Sequence, residues 1–122
     1  MKTHNYQKGH QGEDLAISFL IDANYEILDR NYKRSTGEID IVTKKEDTIV
    51  FVEVKYRKNL DYGYPRESVT VKKQKRIGKT AQWYLKEKKL FDVGVRFDVL
   101  EIYFEDDGQR IINHFENAFA LR

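Results

Sequence analysis

Four ionisable residues set the first question. Glu38 and Asp40 lie within "TGEIDIVT" (36–43), and Glu53 and Lys55 lie within "TIVFVEVKY" (48–56). Both runs are rich in Ile and Val and fit strands, in which successive side chains point to opposite faces. Glu38 and Asp40 are therefore expected on one face of the first strand, with Ile39 and Ile41 on the other. In the second, Glu53 and Lys55 join Ile49 and Phe51, opposite Val50, Val52 and Val54. The polar link Lys44-Lys45-Glu46-Asp47 makes an antiparallel hairpin the economical connection. With Glu46 and Asp47 alone as the loop, Asp40 opposes Glu53 and Glu38 opposes Lys55; with all four in the loop, Glu38 opposes Glu53. Either register gathers Asp40, Glu53 and Lys55 on one face, whereas an odd-numbered loop disperses them.

Carboxylates set opposite one another repel, and burying them costs several kcal/mol unless something pairs with them. A divalent cation offsets that cost. Mg²⁺, or Mn²⁺ in its place, takes hard oxygen ligands, commonly one or two carboxylates with water and phosphate oxygens completing the shell. Lys55, two positions after Glu53 on the same side, is placed to contact water or a scissile phosphate. This is the equipment of metal-assisted phosphodiester hydrolysis. Glu13 precedes Ala16, Ile17 and Leu20 by three, four and seven residues, which puts it near the sheet-facing side of a helix, as a further ligand or a water anchor. Gln74 lies three residues from both Val71 and Ile77 in an apolar stripe and needs a partner, either the substrate backbone or the lysine. Each has a plainer reading: a solvated charge ladder for the four hairpin residues, a dipole-favoured acid for Glu13, and an edge-of-core amide for Gln74.

These groups need elements to hold them. Leu15, Ala16, Phe19, Leu20 and Ala23 recur at helical spacing, predicting a first helix from about Gly12 to Ala23 with Asn24 as its stop. A short strand over 25–33 precedes the hairpin, and the stretch 58–70, with Gly63 and Pro65, reads as a loop. A second helix over 70–89 buries Val71, Gln74, Ile77, Gly78, Ala81, Tyr84 and Leu85. Two further strands, over 95–104 and 110–115, flank an acidic turn. The sum is an α/β domain with a mixed sheet of about five strands flanked by helices.

At these residues the sequence resembles the PD-(D/E)XK nuclease superfamily, in which an acid on one strand precedes an (Asp/Glu)-x-Lys triplet on the next. Here the pattern stands as Asp40 followed by Glu53-Val54-Lys55, with Ile39 where a proline commonly stands. More closely it resembles the YraN-like family, bacterial relatives of archaeal Holliday junction resolvases. The match runs through "GED" (12–14), "GEID" (37–40), "VFVEVKYR" (50–57), "KKQKRI" (72–77), "RFDV" (96–99) and "NAF" (117–119). The resemblance implies a restriction-endonuclease-like core, Asp40 and Glu53 as metal ligands, Lys55 as the catalytic lysine, Glu13 as the helix acid and Gln74 as an auxiliary glutamine.

The 122 residues suffice for one self-supporting domain, 1–122, and a single proline leaves no room for a long linker. The absence of cysteine excludes disulfides and thiolate metal sites, and His4, His10 and His114 show no zinc spacing. No run approaches the roughly 20 apolar residues of a membrane span, so a cytoplasmic location is expected. The net charge of +2 conceals a block from Lys55 to Lys89 with twelve Lys and Arg against three acids. That block points to a polyanion partner, DNA above all, with Arg57, Lys72, Lys73, Arg76 and Lys79 tracking phosphates. Tyr56, Tyr62 and Tyr64 are placed to stack on unpaired bases. A metal-dependent endonuclease is the leading expectation, a noncatalytic nucleic-acid-binding module the alternative, and cutting of both strands would call for a homodimer.

Overall fold

In this computed structural model, residues 2–57 and 69–120 are described, with side chains from Gln11 onward. Residues 58–68 of the expected loop, with Lys58, Tyr62, Gly63, Tyr64, Pro65 and Arg66, fall outside the described residues, as do the side chains of His4 and His10. The elements run α1 (Lys2–Asp22), β1 (Glu26–Arg34), β2 (Gly37–Lys45), β3 (Thr48–Arg57), α2 (Val71–Glu87), β4 (Gly94–Phe104) and β5 (Arg110–Phe119). The strands form one sheet in the order β1-β2-β3-β4-β5. All neighbours are antiparallel except β3 and β4, the pair joined through α2, as a parallel pair requires a crossover. This is a mixed α/β fold, a five-stranded mixed sheet flanked by two helices, consistent with a restriction-endonuclease-like core.

The period-2 pattern of β3 explains why the sheet takes a helix on each side. Val50 and Val52 pack with Ala16 and Leu20 of α1, together with Ile41, Leu100 and Ile102. Ile49 and Phe51 pack with Ile77, Ala81 and Tyr84 of α2, together with Val42 and Phe97. Each helix thus closes one apolar face, and Glu53 and Lys55 continue the α2 side.

Helix α1 begins ten residues earlier than expected. Its apolar stripe starts only at Leu15, so the polar turns before it carry no periodic signal. Its stop is as expected, with Asn24 left-handed at φ 68°. Gly12 sets how closely it docks, since a Cβ there would lie 2.6 Å from the Cβ of Tyr56 on β3. Helix α2 is capped by Thr70, whose hydroxyl accepts from Lys73 N–H at 3.2 Å. Its far end is tied to β1 by Arg34 and Glu87, 2.6 Å apart, and its middle to the β1–β2 turn by Thr36 and Thr80 hydroxyls 2.7 Å apart. No helix among the described residues is long and apolar enough to cross a membrane.

One expectation about the hairpin is corrected. Ile39 and Ile41 do not share a face: Ile39 packs on the α2 side and Ile41 on the α1 side. The β1–β2 pairing passes from Arg30↔Ile41 to Tyr32↔Ile39, stepping over Asn31 and Asp40, and Asn31 is left-handed at φ 54°. That kink reverses the alternation between the two isoleucines.

Candidate functional site

The hairpin turns at Glu46-Asp47, the two-residue option, pairing Lys45 with Thr48 and Ile41 with Val52. The ladder stops there. Beyond Ile41 strand β2 leaves β3, and Asp40 Oδ2 takes the place of a ladder acceptor, receiving Val54 N–H at 2.8 Å. This bond brings Asp40 against the next residue of β3, Glu53. Burial, then the hydrogen bond and charge of Glu53, push the Asp40 carboxyl up to about 8, against the opposing pull of Val54 N–H and Lys73.

Glu53 is 5% exposed. Its Oε2 is buried without a hydrogen-bond donor among the described residues, and Lys73 Nζ stands 3.5 Å away. Lys55 follows on the same face. Its ammonium is pushed down to about 8 by burial first and by the neighbouring Lys73 next, with Glu53 and Asp40 pulling the other way. Lys73 is affected oppositely: burial lowers it, but Lys55, Glu53 and Asp40 together raise it. Asp40, Glu53 and Lys73 line a cavity of about 330 Å³, with the Lys55 ammonium close enough to feel all three charges. The cavity walls are Gly37 and Glu38 of β2, Thr70, and Lys72, Lys73, Arg76 and Ile77 of α2. Gly37 belongs there because, at φ 149°, it lets the start of β2 run close beneath Arg76 and Thr80.

The remaining expected residues are placed differently. Glu38 pairs in register with Lys33 of β1, not with Lys55, although it lines the cavity. Glu13 lies on α1, across the sheet from α2. There Asn31 donates to its Oε2 at 3.0 Å and Arg30 stands 3.6 Å from Oε1. Among the described residues no group of three or more His, Asp or Glu side chains is arranged to hold a metal, so Asp40 and Glu53 stand as a pair. Gln74 donates to the Val69 carbonyl at 3.3 Å and lines a separate cavity of about 560 Å³ with Val99, Phe115 and Phe119. Arg57 ends β3 half-buried; Lys72 and Arg76 are exposed at the cavity rim, and Lys79 is exposed farther along α2.

Two contributors escaped the sequence reading. Lys73 was assigned to phosphates, yet it reaches the carboxylates; its place four residues before buried Ile77 was the available signal. Glu101 is fully buried on β4, opposite Lys55 in the parallel register, and accepts from Asn113 Nδ2 at 2.7 Å. Asp98 is a structural partner of Arg96. It accepts two bonds of 2.9 Å from Arg96, one of 2.9 Å from Asn117 N–H, and lies 2.7 Å from His114 Nε2.

The sequence model described as Uncharacterised protein family UPF0102 matches residues 12–102. The chain belongs to this family. UPF0102 relatives match over nearly their whole length, among them one from Clostridioides difficile, 45% identical over 116 residues, covering 95% of this chain and 99% of the relative. Another, from Acetivibrio thermocellus, is 46% identical over 123 residues, covering 97% and 95%. A third, from Dictyoglomus turgidum, is 45% identical over 118 residues, covering 95% and 99%. The YraN-like resemblance is thus shown at the level of the family. The UPF0102 match includes Asp40, Glu53, Lys55 and Lys73.

Proposed function

We propose that this UPF0102 protein is a metal-dependent endonuclease that hydrolyses phosphodiester bonds in DNA in the cytoplasm, as a member of the PD-(D/E)XK nuclease superfamily. The observation that carries this reading is the Asp40–Glu53 pair. Two acids are pressed together at a strand splay, with Glu53 Oε2 buried and lacking a donor among the described residues, beside a cavity walled by cations. Such a pair is costly alone and fits a hard divalent ion.

Asp40 and Glu53 would hold Mg²⁺ or Mn²⁺, which when bound stabilises charge developing on phosphate and lowers the pKa of water. The Val54 N–H fixes one Asp40 oxygen, so the carboxylate is oriented before any ligand arrives. Lys55, with its ammonium near 8, holds a proton at neutral pH and is poised to give one up or take one back. Lys72 and Arg76 at the rim would grip the phosphates flanking the scissile one. One carboxylate pair serves one strand, so cutting both strands of a duplex would bring in a second copy of the chain.

The test is incubation of the purified protein with branched, single-stranded and duplex DNA in Mg²⁺, Mn²⁺ or EDTA. Cutting that needs the metal and disappears in Glu53→Ala and Lys55→Ala supports the enzyme. A noncatalytic nucleic-acid-binding module is the second reading, favoured by Lys73, whose ammonium stands where it neutralises the carboxylates. Salt-sensitive binding of all three DNAs with no cutting in either metal would select it and overturn the enzyme.

A further inference from the structure

Trp83, the chain's one tryptophan, is 46% exposed on α2. A single exposed apolar residue is ordinary. This one, however, lines a cavity of about 370 Å³ with Thr36, Lys79, Gln82 and Lys86. Lys79 and Lys86 stand one turn before and after it, and Lys86 Nζ lies 5.8 Å from the indole centroid. The opposite wall is the β1–β2 turn at Thr36, whose chain neighbour Gly37 lines the carboxylate cavity. Both cavities are thus lined by that turn and α2, at neighbouring positions of each.

The helix carries a matching pattern. Lys72, Arg76, Lys79, Trp83 and Lys86 recur at intervals of four, three, four and three, a single face of α2. From Lys73, beside Glu53, to Trp83 is ten residues, about 15 Å along the axis, or roughly four nucleotides at the 3.4 Å stacked spacing. Cations on both sides of an exposed indole, in a hollow of this size, complement a nucleotide whose base lies flat on the ring while its phosphates meet the lysines. Gln82 adds an amide that can bond a base edge. A base stacked inside a duplex offers no free face to such a platform.

We propose that the Trp83 cavity is a stacking site for an unpaired base of single-stranded DNA, and that the strand runs from it past Lys79 and Arg76 to Asp40 and Glu53. The inference rests on the nuclease reading and names its substrate class: a free end, a gap or an opened arm of a branch.

Because no other tryptophan contributes, indole emission reports occupancy directly. The probes are an oligothymidylate of about fifteen nucleotides and a blunt hairpin duplex, in EDTA so that no cutting intervenes. The expected result is quenching by the single strand and little change with the duplex. Read instead by the anisotropy of a fluorescein-labelled oligothymidylate, Trp83→Ala should weaken binding about tenfold, as expected for one base–aromatic stack, while Trp83→Phe keeps most of the affinity. Unchanged emission on a bound single strand, or Trp83→Ala binding as the wild type does, overturns the stacking site and leaves the nuclease reading standing. Failure to bind either DNA at low salt overturns both.

Discussion

Asp40 accepts the Val54 N–H that the β2–β3 ladder leaves open, and that bond places it against Glu53. The consequence is a pH dependence with a defined sign. The Asp40 carboxyl rises from its ordinary 3.8 to about 8, chiefly through burial and then through Glu53. Between those values the folded chain holds a proton that the unfolded chain has released, so in EDTA stability should fall as pH rises toward 8. Lys55, lowered from 10.5 to about 8 by burial and Lys73, acts in the other direction, and stability should recover as pH rises beyond 8. Urea unfolding of wild type and Asp40→Asn at about pH 6 and about pH 8 isolates the first effect: the wild type should lose more stability than the variant, and parallel behaviour would contradict it. Lys73 makes a second prediction. Its ammonium competes with a cation for Glu53, so Lys73→Met should tighten Mn²⁺ binding measured by calorimetry, by about fivefold for a pair whose lysine is partly exposed. Unchanged or weaker Mn²⁺ binding would mean that the lysine does not occupy the cation's place.

At the scale of elements, the site depends on how closely α1 and α2 approach the sheet. Gly12→Ala places a methyl group 2.6 Å from the Tyr56 Cβ, backbone-borne atoms on both sides, so α1 must back away. A loss of about 1–3 kcal/mol in urea unfolding is expected, and a variant as stable as wild type would show that the contact is not limiting. Most of these elements were legible. The apolar period of α2, the Asn24 stop and an antiparallel hairpin turning within 44–47 all follow from local residue patterns, and so does the grouping of Glu53 and Lys55 on one face, whereas the choice of the two-residue loop does not. The fine geometry was less accessible. The Ile39 and Ile41 reversal depends on a left-handed Asn31 in the partner strand, where no glycine marks it. Likewise Lys73 and Gln74 are adjacent on one helix, and spacing alone did not show that the lysine turns to the carboxylates while the amide turns to the second cavity.

For the molecule as a whole, the near-neutral net charge matters less than where the cations lie, because Lys72, Arg76, Lys79 and Lys86 share one face of α2 that runs from the carboxylates to Trp83. If these four contact phosphates on a single strand, a slope of about −0.7 per contact lowers affinity roughly fiftyfold between 50 and 200 mM salt. Fluorescence titration should show that loss, with a shallower slope for Lys79→Gln; affinity indifferent to salt would remove the basic face from the account. Both arguments presuppose that the carboxylate pair receives a cation. The direct measurement is anomalous diffraction from crystals soaked in Mn²⁺, for wild type and for Glu53→Gln. A single anomalous peak between the Asp40 and Glu53 carboxylates, with the Lys73 ammonium moved aside and the peak lost in the variant, is the expected result. A wild-type site without a peak, its carboxylates still paired with Lys73, would contradict the metal-dependent chemistry proposed for this fold.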